Sequence, residues 1–460
     1  MLASLFRSTD LKTDLESGLQ NPQRAPLFAR FFRFDEHKTN LQTEVIAGVT
    51  TFVTMAYIIF VNPKILATTG MDANAVFVAT CLAAAIGSAI MGLWANWPIA
   101  MAPGMGLNAF FAFTVVGKLG YTWEQALGAV FISGAIFLFL SLTGIRRWLI
   151  AGIPHSMRSA IAAGIGLFLA IIALKSAGIV VASPATFVTL GDMASTGVLL
   201  SVFGFVVIAA LDALKVPGAI LIGILLTTVA SIVLGFSAFG GVASAPPSIL
   251  PTLFKLDVPG ALHGGILHVV LVMVLVEVFD ATGTLIGIAK RAGLLAAGPA
   301  HKNVGLSRAL MADSAAIAAG SFLGTSSTTA YVESAAGVQA GGRTGLTALV
   351  VAALFLLAMF FAPLAGTVPA VATAPALLYV ATLMLRELSE VEWSDVTETA
   401  PAVLTAVAMP FTYSIANGLA FGFVSYAAIK LLTGRFREVH AATWLVAALF
   451  VARFVFFPQG

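Results

Sequence analysis

The sequence predicts an all-α polytopic membrane protein with about fourteen transmembrane helices, arranged as two inverted 7-helix repeats. Apolar residues make up 59% of the 460 residues and charged residues only 10%, whereas a soluble domain carries about 25% charged residues. Apolar runs close to the roughly 20 residues of a transmembrane helix recur along the chain. An odd number of spans in each half turns the second half over relative to the first, which predicts the inversion.

The apolar runs give the boundaries of the predicted helices. In the first repeat, at 44–236, helices are expected near 44–62, 74–94, 104–117, 124–143, 158–175, 196–213 and 217–236. A loop at 237–264, rich in Pro, Gly and Ser, joins the repeats. In the second repeat, at 265–432, helices are expected near 265–289, 309–323, 327–340, 346–364, 369–385, 400–412 and 414–432. The C-terminal segment at 433–460 has a last apolar run, 443–457, which either spans the membrane or lies on its surface.

The basic residues of the loops indicate the orientation. If the N-terminal segment at 1–43 is cytoplasmic, the alternating path puts most Lys and Arg residues, including Arg146 in a loop, on the same side. Only Lys64, Lys175 and Lys255 fall opposite, where the 237–264 loop is then extracytoplasmic. Cytoplasmic loops carry an excess of Lys and Arg, so a cytoplasmic N-terminus is expected. The net charge of +3 gives no support to nucleic-acid binding.

Two carboxylates lie in the middle of an apolar run in the second repeat. In VEVFDATGTLIGIAK, residues 276–290, Glu277 and Asp280 are three residues apart and share one face of a helix. An ionised acid in hydrocarbon is costly, so such residues usually face a protein interior or a water-filled cavity and mark substrate or ion pathways. No intramembrane Lys or Arg offers an obvious partner, which disfavours a purely structural pair. The sequence therefore predicts that this helix is the centre of the site.

Short, interrupted spans occupy corresponding places in the two repeats. They read PGMGLNAFFAF at 103–113 and GTSSTTAYVESAAGV at 324–338, and such pairs indicate the midplane binding site of a transporter. Asn108 and Glu333 then lie near the N-termini of half-helices, where free backbone N–H groups and the helix dipole can also face a ligand. For Asn108, a helix N-cap or an interhelical hydrogen bond is an equally good interpretation.

Aromatic and hydroxyl residues flank these groups. Phe110 and Tyr331 could stack on a planar ligand, although an aromatic in a chain with 34 Phe is more often part of the core or faces lipid. Thr329 belongs to a Ser/Thr run at 325–329 that favours extended chain. Its main expected role is to satisfy the broken backbone, with ligand contact second.

Signatures of enzymes and metal sites are missing from the sequence. It has no HExxH motif and no phosphate-binding GxxxxGK[ST] motif, so catalytic residues and an ATP-driven pump are not expected. The single cysteine, Cys81, excludes an intramolecular disulfide and a Cys-based metal site. We therefore expect no cofactor.

Four motifs, in the right order, resemble a known family. They are GVTTFVTMAYIIFVNPKIL (48–66), APGMGLNAFFAF (102–113), EVFDATGTLIGIAKRAGLL (277–295) and GTSSTTAYVESAAGVQAGGRTGLTALV (324–350). Together they look like the hypoxanthine/guanine/adenine permeases, the purine branch of the nucleobase cation symporters. The resemblance implies a core domain at about 44–143 and 265–364, a gate domain at about 158–236 and 369–432, and short strands in helices 3 and 10. It also implies a homodimer and a multi-pass protein of the bacterial inner membrane.

The resemblance also implies roles for individual residues. Glu277 and Glu333 are similar to the acids that bind the base, Asp280 to the essential second acid of the eighth helix, and Asn108 to the substrate-related Asn of the third. The uracil-transporting branch has a His four residues after its first acid, where Ala281 stands here. This departure disfavours uracil as the substrate.

The expected mechanism is proton-coupled uptake of a purine base from one side of the lipid bilayer by alternating access. Carboxylates can accept hydrogen bonds from the N–H groups of a base, and an Asn amide can both donate and accept. Asp280 is expected to carry the proton or to organise the site, and the choice of proton carrier among Asp280, Glu277 and Glu333 stays open because closely spaced acids titrate as a coupled set. Guanine and hypoxanthine are favoured over adenine. Alternatives are a transporter of xanthine or uracil, a passive channel and an intramembrane enzyme.

Overall fold

Helices account for most of the chain in the computed structural model, which describes residues 27–143, 145–263, 267–295 and 304–456. Residues 1–26 of the predicted N-terminal segment, residue 264 of the central loop and residues 457–460 lie outside that range. Nine described helical stretches are long and apolar enough to cross a membrane, and three shorter apolar helices accompany them. The chain is thus a multi-pass membrane protein.

The first repeat contains the following elements. Two short helices precede it, α1 (Leu27–Phe31) and α2 (Phe34–His37). The helices of the repeat are α3 (Leu41–Met55), α4 (Ile58–Ala67), α5 (Ala73–Ile90), α6 (Met105–Ala109), α7 (Trp123–Thr143), α8 (Ile145–Gly152), α9 (His155–Ser176), α10 (Thr196–Ala213) and α11 (Ala219–Val233). Its strands are β1 (Met101–Pro103), β2 (Val180–Ser183) and β3 (Phe187–Leu190). Wider π-helical turns at Met91–Ala95 and Phe110–Val116 prolong α5 and α6.

The second repeat follows the same plan. After α12 (Val258–His263) in the central loop, its elements are α13 (Leu267–Arg291), α14 (Val304–Leu323), β4 (Thr328–Ala330), α15 (Ser334–Gln339), α16 (Gly345–Ala358), α17 (Ala362–Thr367), α18 (Ala370–Leu385), α19 (Val396–Thr412) and α20 (Ile415–Leu432). The C-terminal segment that follows forms α21 (Ala441–Phe456). Short 3₁₀ turns lie at Met359–Phe361, Arg386–Glu390 and Phe436–Glu438. The predicted third and tenth spans are interrupted as expected, because a strand precedes a short helix in each.

Local sequence explains where several helices begin. Asp72 caps α5 by accepting a hydrogen bond from the Ala75 amide at 2.7 Å, and Ser195 caps α10 by accepting one from the Val198 amide at 3.4 Å. Such caps satisfy N–H groups that have no partner within the helix. The first predicted span, 44–62, is not continuous, since α3 ends at Met55 and α4 begins at Ile58.

The long helices pack in two groups. In one, α14 packs against α5 and α7, and α16 packs against α3 and α5. In the other, α9 packs against α18, α19 and α20, and α10 packs against α11 and α18. The C-terminal helix α21 packs along α20 and contacts α8, where the Thr443 hydroxyl donates to the Gly152 carbonyl at 2.6 Å.

Candidate functional site

The two repeats meet at a pair of short antiparallel strands. Met101 of β1 lies opposite Ala330 of β4, and Pro103 lies opposite Thr328. Two further backbone bonds extend the pairing, from Gly104 N to Ser327 O at 2.9 Å and from Tyr331 N to Ala100 O at 3.0 Å. Both strands are buried. Extended chain within a membrane needs such partners, because no water is present to satisfy its N–H and C=O groups.

Asn108 lies in α6, the half-helix that starts just after β1. It is the fourth residue of the helix and Gly104 is the N-cap, so the N-cap interpretation of Asn108 is wrong. The Asn108 side chain is buried and its Oδ1 accepts a hydrogen bond from the Ser326 hydroxyl of the second repeat. Its Nδ2 has no partner among the described residues. Both N–H donors of this amide nitrogen therefore remain available at the crossing.

Glu333 is the N-cap residue of the other half-helix, α15. Its side chain is half-buried and makes no capping bond. Instead, Oε1 accepts a hydrogen bond from the Tyr57 hydroxyl at 2.5 Å. Tyr57 lies in the break between α3 and α4 and was missed as a site residue. The sequence shows Tyr57 within the segment TMAYII, but no local pattern predicts its contact with Glu333, which lies 276 positions away.

Glu277 and Asp280 lie on α13 but differ in exposure. Glu277 is fully buried, and its Oε1 accepts from the Ser133 hydroxyl at 3.2 Å. Its Oε2 has no hydrogen-bond partner in the described part of the chain. Asp280 is exposed, and the same face of α13 continues through Gly283 and Gly287, where a Cβ would meet open space. This open face runs from Asp280 toward the end of the helix.

Asp313 is a buried acid near the strands that was missed in the sequence. It lies on α14, and its Oδ1 accepts from the Thr329 hydroxyl at 3.0 Å and from the Ala330 amide at 3.1 Å. The Thr329 hydroxyl thus contacts a carboxylate and not the broken backbone, and its contact with a ligand stays a prediction. The sequence feature that could have identified Asp313 is its position as a single acid in the apolar segment MADSAAIAAG, residues 311–320.

Phe110 and Tyr331 pack in the hydrophobic core. They are 1% and 5% exposed, and the Tyr331 hydroxyl donates to the Pro103 carbonyl at 2.7 Å. Both rings belong to the buried core cluster, and stacking on a ligand stays a prediction.

The structure contradicts the predicted position of Arg146. The sequence analysis placed Arg146 in a loop and expected no intramembrane Lys or Arg beside the acids. In the structure, Arg146 is 1% exposed and lies between α7, α13 and α14, where it donates to the Thr282 hydroxyl at 3.0 Å. The reason is that α8 begins directly after α7 and turns the side chain back into the helix bundle.

The two helix groups contact each other where α6 continues toward Gly117. The ring of Tyr413, in the turn between α19 and α20, makes edge contacts with Phe168 at 5.4 Å and Phe113 at 6.4 Å between ring centroids. Lys118 Nζ donates to the Thr412 carbonyl at 3.0 Å. The helix group containing α9, α19 and α20 therefore contacts the end of the first half-helix, whereas Asp280 lies on an open face.

The arrangement offers hydrogen-bonding groups rather than metal ligands. At the strand crossing it presents a buried carboxylate oxygen of Glu277 and a buried amide donor of Asn108, both without partners among the described side chains. Asp280 and Glu333 lie close enough to interact electrostatically. Across the described ranges, no group of three or more His, Cys, Asp or Glu residues could hold a metal ion.

Known proteins resemble this chain over nearly its whole length. Residues 42–457 match the profile of the Permease family, Xan_ur_permease. The chain is 49% identical over 430 residues to the adenine permease AdeP of Escherichia coli K12, covering 94% of this chain and 96% of that protein. It is 44% identical over 438 residues to the guanine/hypoxanthine permease PbuG of Bacillus subtilis 168, covering 93% and 99% respectively.

Solved structures share the fold at low sequence identity. The transmembrane domain of a cyanobacterium bicarbonate transporter, BicA, superposes with a TM-score of 0.64 and 17% identity, covering 82% of this chain and 97% of that one. SLC26A9 gives a TM-score of 0.60 and 10% identity, covering 86% of this chain and 67% of that one. This likeness confirms the predicted architecture of two inverted repeats of transmembrane helices.

Proposed function

Because this chain belongs to the Permease family, and is thus a transporter and not an enzyme, we propose that it takes up purine nucleobases together with protons by alternating access. Glu277 and Glu333 hold the base in this proposal, Asn108 orients it, and Asp280 carries the proton. The observation that carries the proposal is the pair of unpartnered polar atoms at the strand crossing, Glu277 Oε2 and Asn108 Nδ2. A buried polar atom without a partner is costly, and a base that supplies one donor and one acceptor removes that cost.

Adenine is the first substrate to test. The relatives named adenine permeases are 48–49% identical to this chain, and those named guanine/hypoxanthine permeases are 38–44% identical. On the basis of these identities, we propose adenine as the substrate in place of guanine and hypoxanthine, which the sequence analysis favoured.

The hydrogen-bonding edges of the two bases link substrate choice to protonation. Adenine presents an N–H donor next to a ring-nitrogen acceptor, which matches the O–H and C=O of a protonated carboxylic acid. Guanine presents two neighbouring N–H donors, which match an ionised carboxylate. Adenine binding by a protonated site acid would bring in the base and the proton together.

Alternating access in this proposal uses the two helix groups. The core domain is assigned to about 44–143 and 265–364, and the gate domain to about 158–236 and 369–432. The contact at Tyr413 closes one side of the site, and the open face from Asp280 to Gly287 gives access from the other. That open face ends at Lys290 and Arg291, so by the excess of basic residues in cytoplasmic loops it opens to the cytoplasm.

Uptake of radiolabelled adenine and guanine tests the proposed function. Cells that lack their own purine uptake would express the chain and be assayed with and without a protonophore. Unlabelled hypoxanthine, xanthine and uracil would compete. We expect protonophore-sensitive accumulation blocked by a purine base. Uptake that only equilibrates across the membrane would indicate a passive channel, and transport of uracil or xanthine alone would contradict the substrate.

Cysteine labelling tests the direction of the opening. Cys81 is buried and can be replaced by Ser to give a cysteine-free background. In that background, Gly287→Cys lies on the open face and Gly366→Cys, which also faces open space, lies at the predicted external end of its span. A membrane-impermeant thiol reagent should label Gly287→Cys only in inside-out vesicles and Gly366→Cys only in right-side-out vesicles. The reverse pattern would contradict the orientation.

A further inference from the structure

Arg146 is a buried cation beside the acids. Its guanidinium is held by three of the core helices. Nη2 donates to the Thr282 hydroxyl of α13 at 3.0 Å, and Nη1 lies 3.4 Å from the Leu310 carbonyl of α14 and 3.3 Å from the Ser141 hydroxyl of α7. Its Cζ lies 3.8 Å from the centroid of the Phe137 ring. These contacts orient the charge toward the helices that carry Glu277 and Asp313.

The acids around Arg146 outnumber the cations. Asp313 and Glu277 both interact electrostatically with Arg146, and Asp280 interacts with Asp313. Arg146 is not within ion-pair distance of a carboxylate in the described chain. Its Nε, Glu277 Oε2 and Asp313 Oδ2 are all buried without hydrogen-bond partners there. The charge therefore acts on the acids through space, in a region where screening by water and salt is weak.

We propose that Arg146 is a positioning residue that supplies the counter-charge of the buried acids and sets the pH range over which they exchange protons. This inference rests on the proposed function, because it concerns the coupling of protons to uptake. Asp313 is the first acid on which this counter-charge is expected to act. Asp313 holds β4 through Thr329 and Ala330, so a charge that acts on Asp313 also acts on the acid that supports the strand crossing.

A purely structural role for Arg146 makes different predictions. Stacking on Phe137 and hydrogen bonding to Thr282 would anchor α8 to the core helices whatever the charge on the acids. Losing that anchor would lower the amount of protein or its maximal rate at every pH equally. Only a counter-charge changes the pH dependence of uptake, since a positive charge favours the ionised form of a nearby acid.

The test compares Arg146→Met with Arg146→Lys across pH 5 to 8. Initial uptake rates of adenine would be normalised to the amount of protein in the membrane. We expect Arg146→Met to move the pH of half-maximal uptake upward by about one unit. Arg146→Lys keeps the charge, so its midpoint should stay within about 0.3 units, although its maximal rate falls because Lys cannot reproduce the guanidinium contacts.

Two further variants keep the test decisive if Arg146→Met is poorly expressed. Adding Asp313→Asn removes one uncompensated acid, so the double variant should recover expression and move the pH midpoint back toward that of the wild type. Arg158→Met on α9 is the matched control, because Arg158 is a partly buried arginine that forms no ion pair with an acid among the residues that the structure describes. Its pH midpoint should equal that of the wild type.

The outcomes separate the two proposals. An unchanged pH midpoint in Arg146→Met, or a loss of protein that Asp313→Asn does not rescue, would overturn the counter-charge role. If wild-type uptake itself ignored both pH and protonophore, the proposed proton coupling would fail first, before any variant was compared.

Discussion

Glu277 and Asp280 lie one helical turn apart on α13 and have opposite surroundings. Glu277 is fully buried, with one oxygen bonded to Ser133 and the other without a partner among the described residues. Asp280 is exposed on a face that continues through two glycines to the end of the helix. The same chemical group is thus placed once inside the packed helices and once on an open face.

This difference suggests a division of roles. A buried oxygen without a partner gains most from a ligand that donates a hydrogen bond, because the alternative is an unsatisfied polar atom. An acid on an open face can exchange protons without a rearrangement of the packed helices. We therefore expect changes at Glu277 to weaken base binding and changes at Asp280 to uncouple uptake from the proton gradient.

The largest effect is expected for Glu277→Gln. Gln has nearly the same shape but carries no negative charge and replaces one acceptor oxygen with an N–H₂ donor. The charge-assisted hydrogen bond at Glu277 Oε2, worth about 1.5–3 kcal/mol, would be lost, so binding of guanine, whose two N–H donors match an ionised carboxylate, should fall by roughly 10- to 100-fold. Adenine matches the donor and acceptor of a neutral acid, which Gln keeps, so its binding should fall much less. Binding of radiolabelled guanine and adenine to purified protein measures both.

Ser133→Ala is the companion to Glu277→Gln. It removes the hydroxyl that holds Glu277 Oε1 but leaves the carboxylate, so binding should weaken by about tenfold at most. If Glu277→Gln bound guanine as well as Ser133→Ala does, Glu277 would not be the primary acceptor for the base.

The next effect is a loss of accumulation in Asp280→Asn. Asn keeps the size and polarity of the side chain but cannot take up a proton near neutral pH. We expect adenine binding within about threefold of the wild type. Exchange of internal for external base should persist, because it needs no net proton movement, whereas uptake against a gradient should vanish. Accumulation by Asp280→Asn under a proton-motive force would remove Asp280 from the proton role.

Tyr57→Phe should have a smaller effect through Glu333. It removes the hydroxyl that donates to Glu333 at 2.5 Å while keeping the ring in the break between α3 and α4. One hydrogen bond to a charged group is worth about 1.5–3 kcal/mol, so we expect uptake at low adenine concentration to fall by about tenfold. Tyr426→Phe is the matched control, because Tyr426 donates to Glu398 at 3.0 Å at a distance from the site. Equal losses in both variants would indicate a general effect on stability.

The sequence predicted the spans and the interrupted helices because both depend on local composition. Hydropathy gives each helix its approximate length, and the Pro, Gly and Ser/Thr residues at 103–106 and 324–329 indicate where helices 3 and 10 break. Glu277 and Asp280 could be recognised as candidate site residues from the sequence because an acid in an apolar run is rare.

Other parts of the site depend on contacts between residues far apart in the chain. Tyr57 reaches Glu333 across 276 positions, and Arg146 reaches Thr282 across 136. No local pattern encodes these distances. Arg146 lies just after an apolar run, where positive charge normally indicates a loop, so only the path of α8 shows that its side chain enters the bundle.

The smallest effect is expected at Asp395, which lies before α19 and outside the spans. Hydrogen bonds from Thr397 and from the Arg435 guanidinium lower the pKa of Asp395 from its ordinary 3.8 to about 2. A lowered pKa stabilises the fold above the ordinary value, and that stabilisation is lost only as the pH falls toward 2. Asp395→Asn should therefore shift the pH midpoint of adenine uptake by less than about 0.2 units between pH 5 and 8. Because this carboxylate stays ionised over the whole range, a larger shift would mean that the ion pairs at the ends of α19 and α20 influence coupling, and the pH dependence could no longer be assigned to Glu277, Asp280 and Glu333 alone.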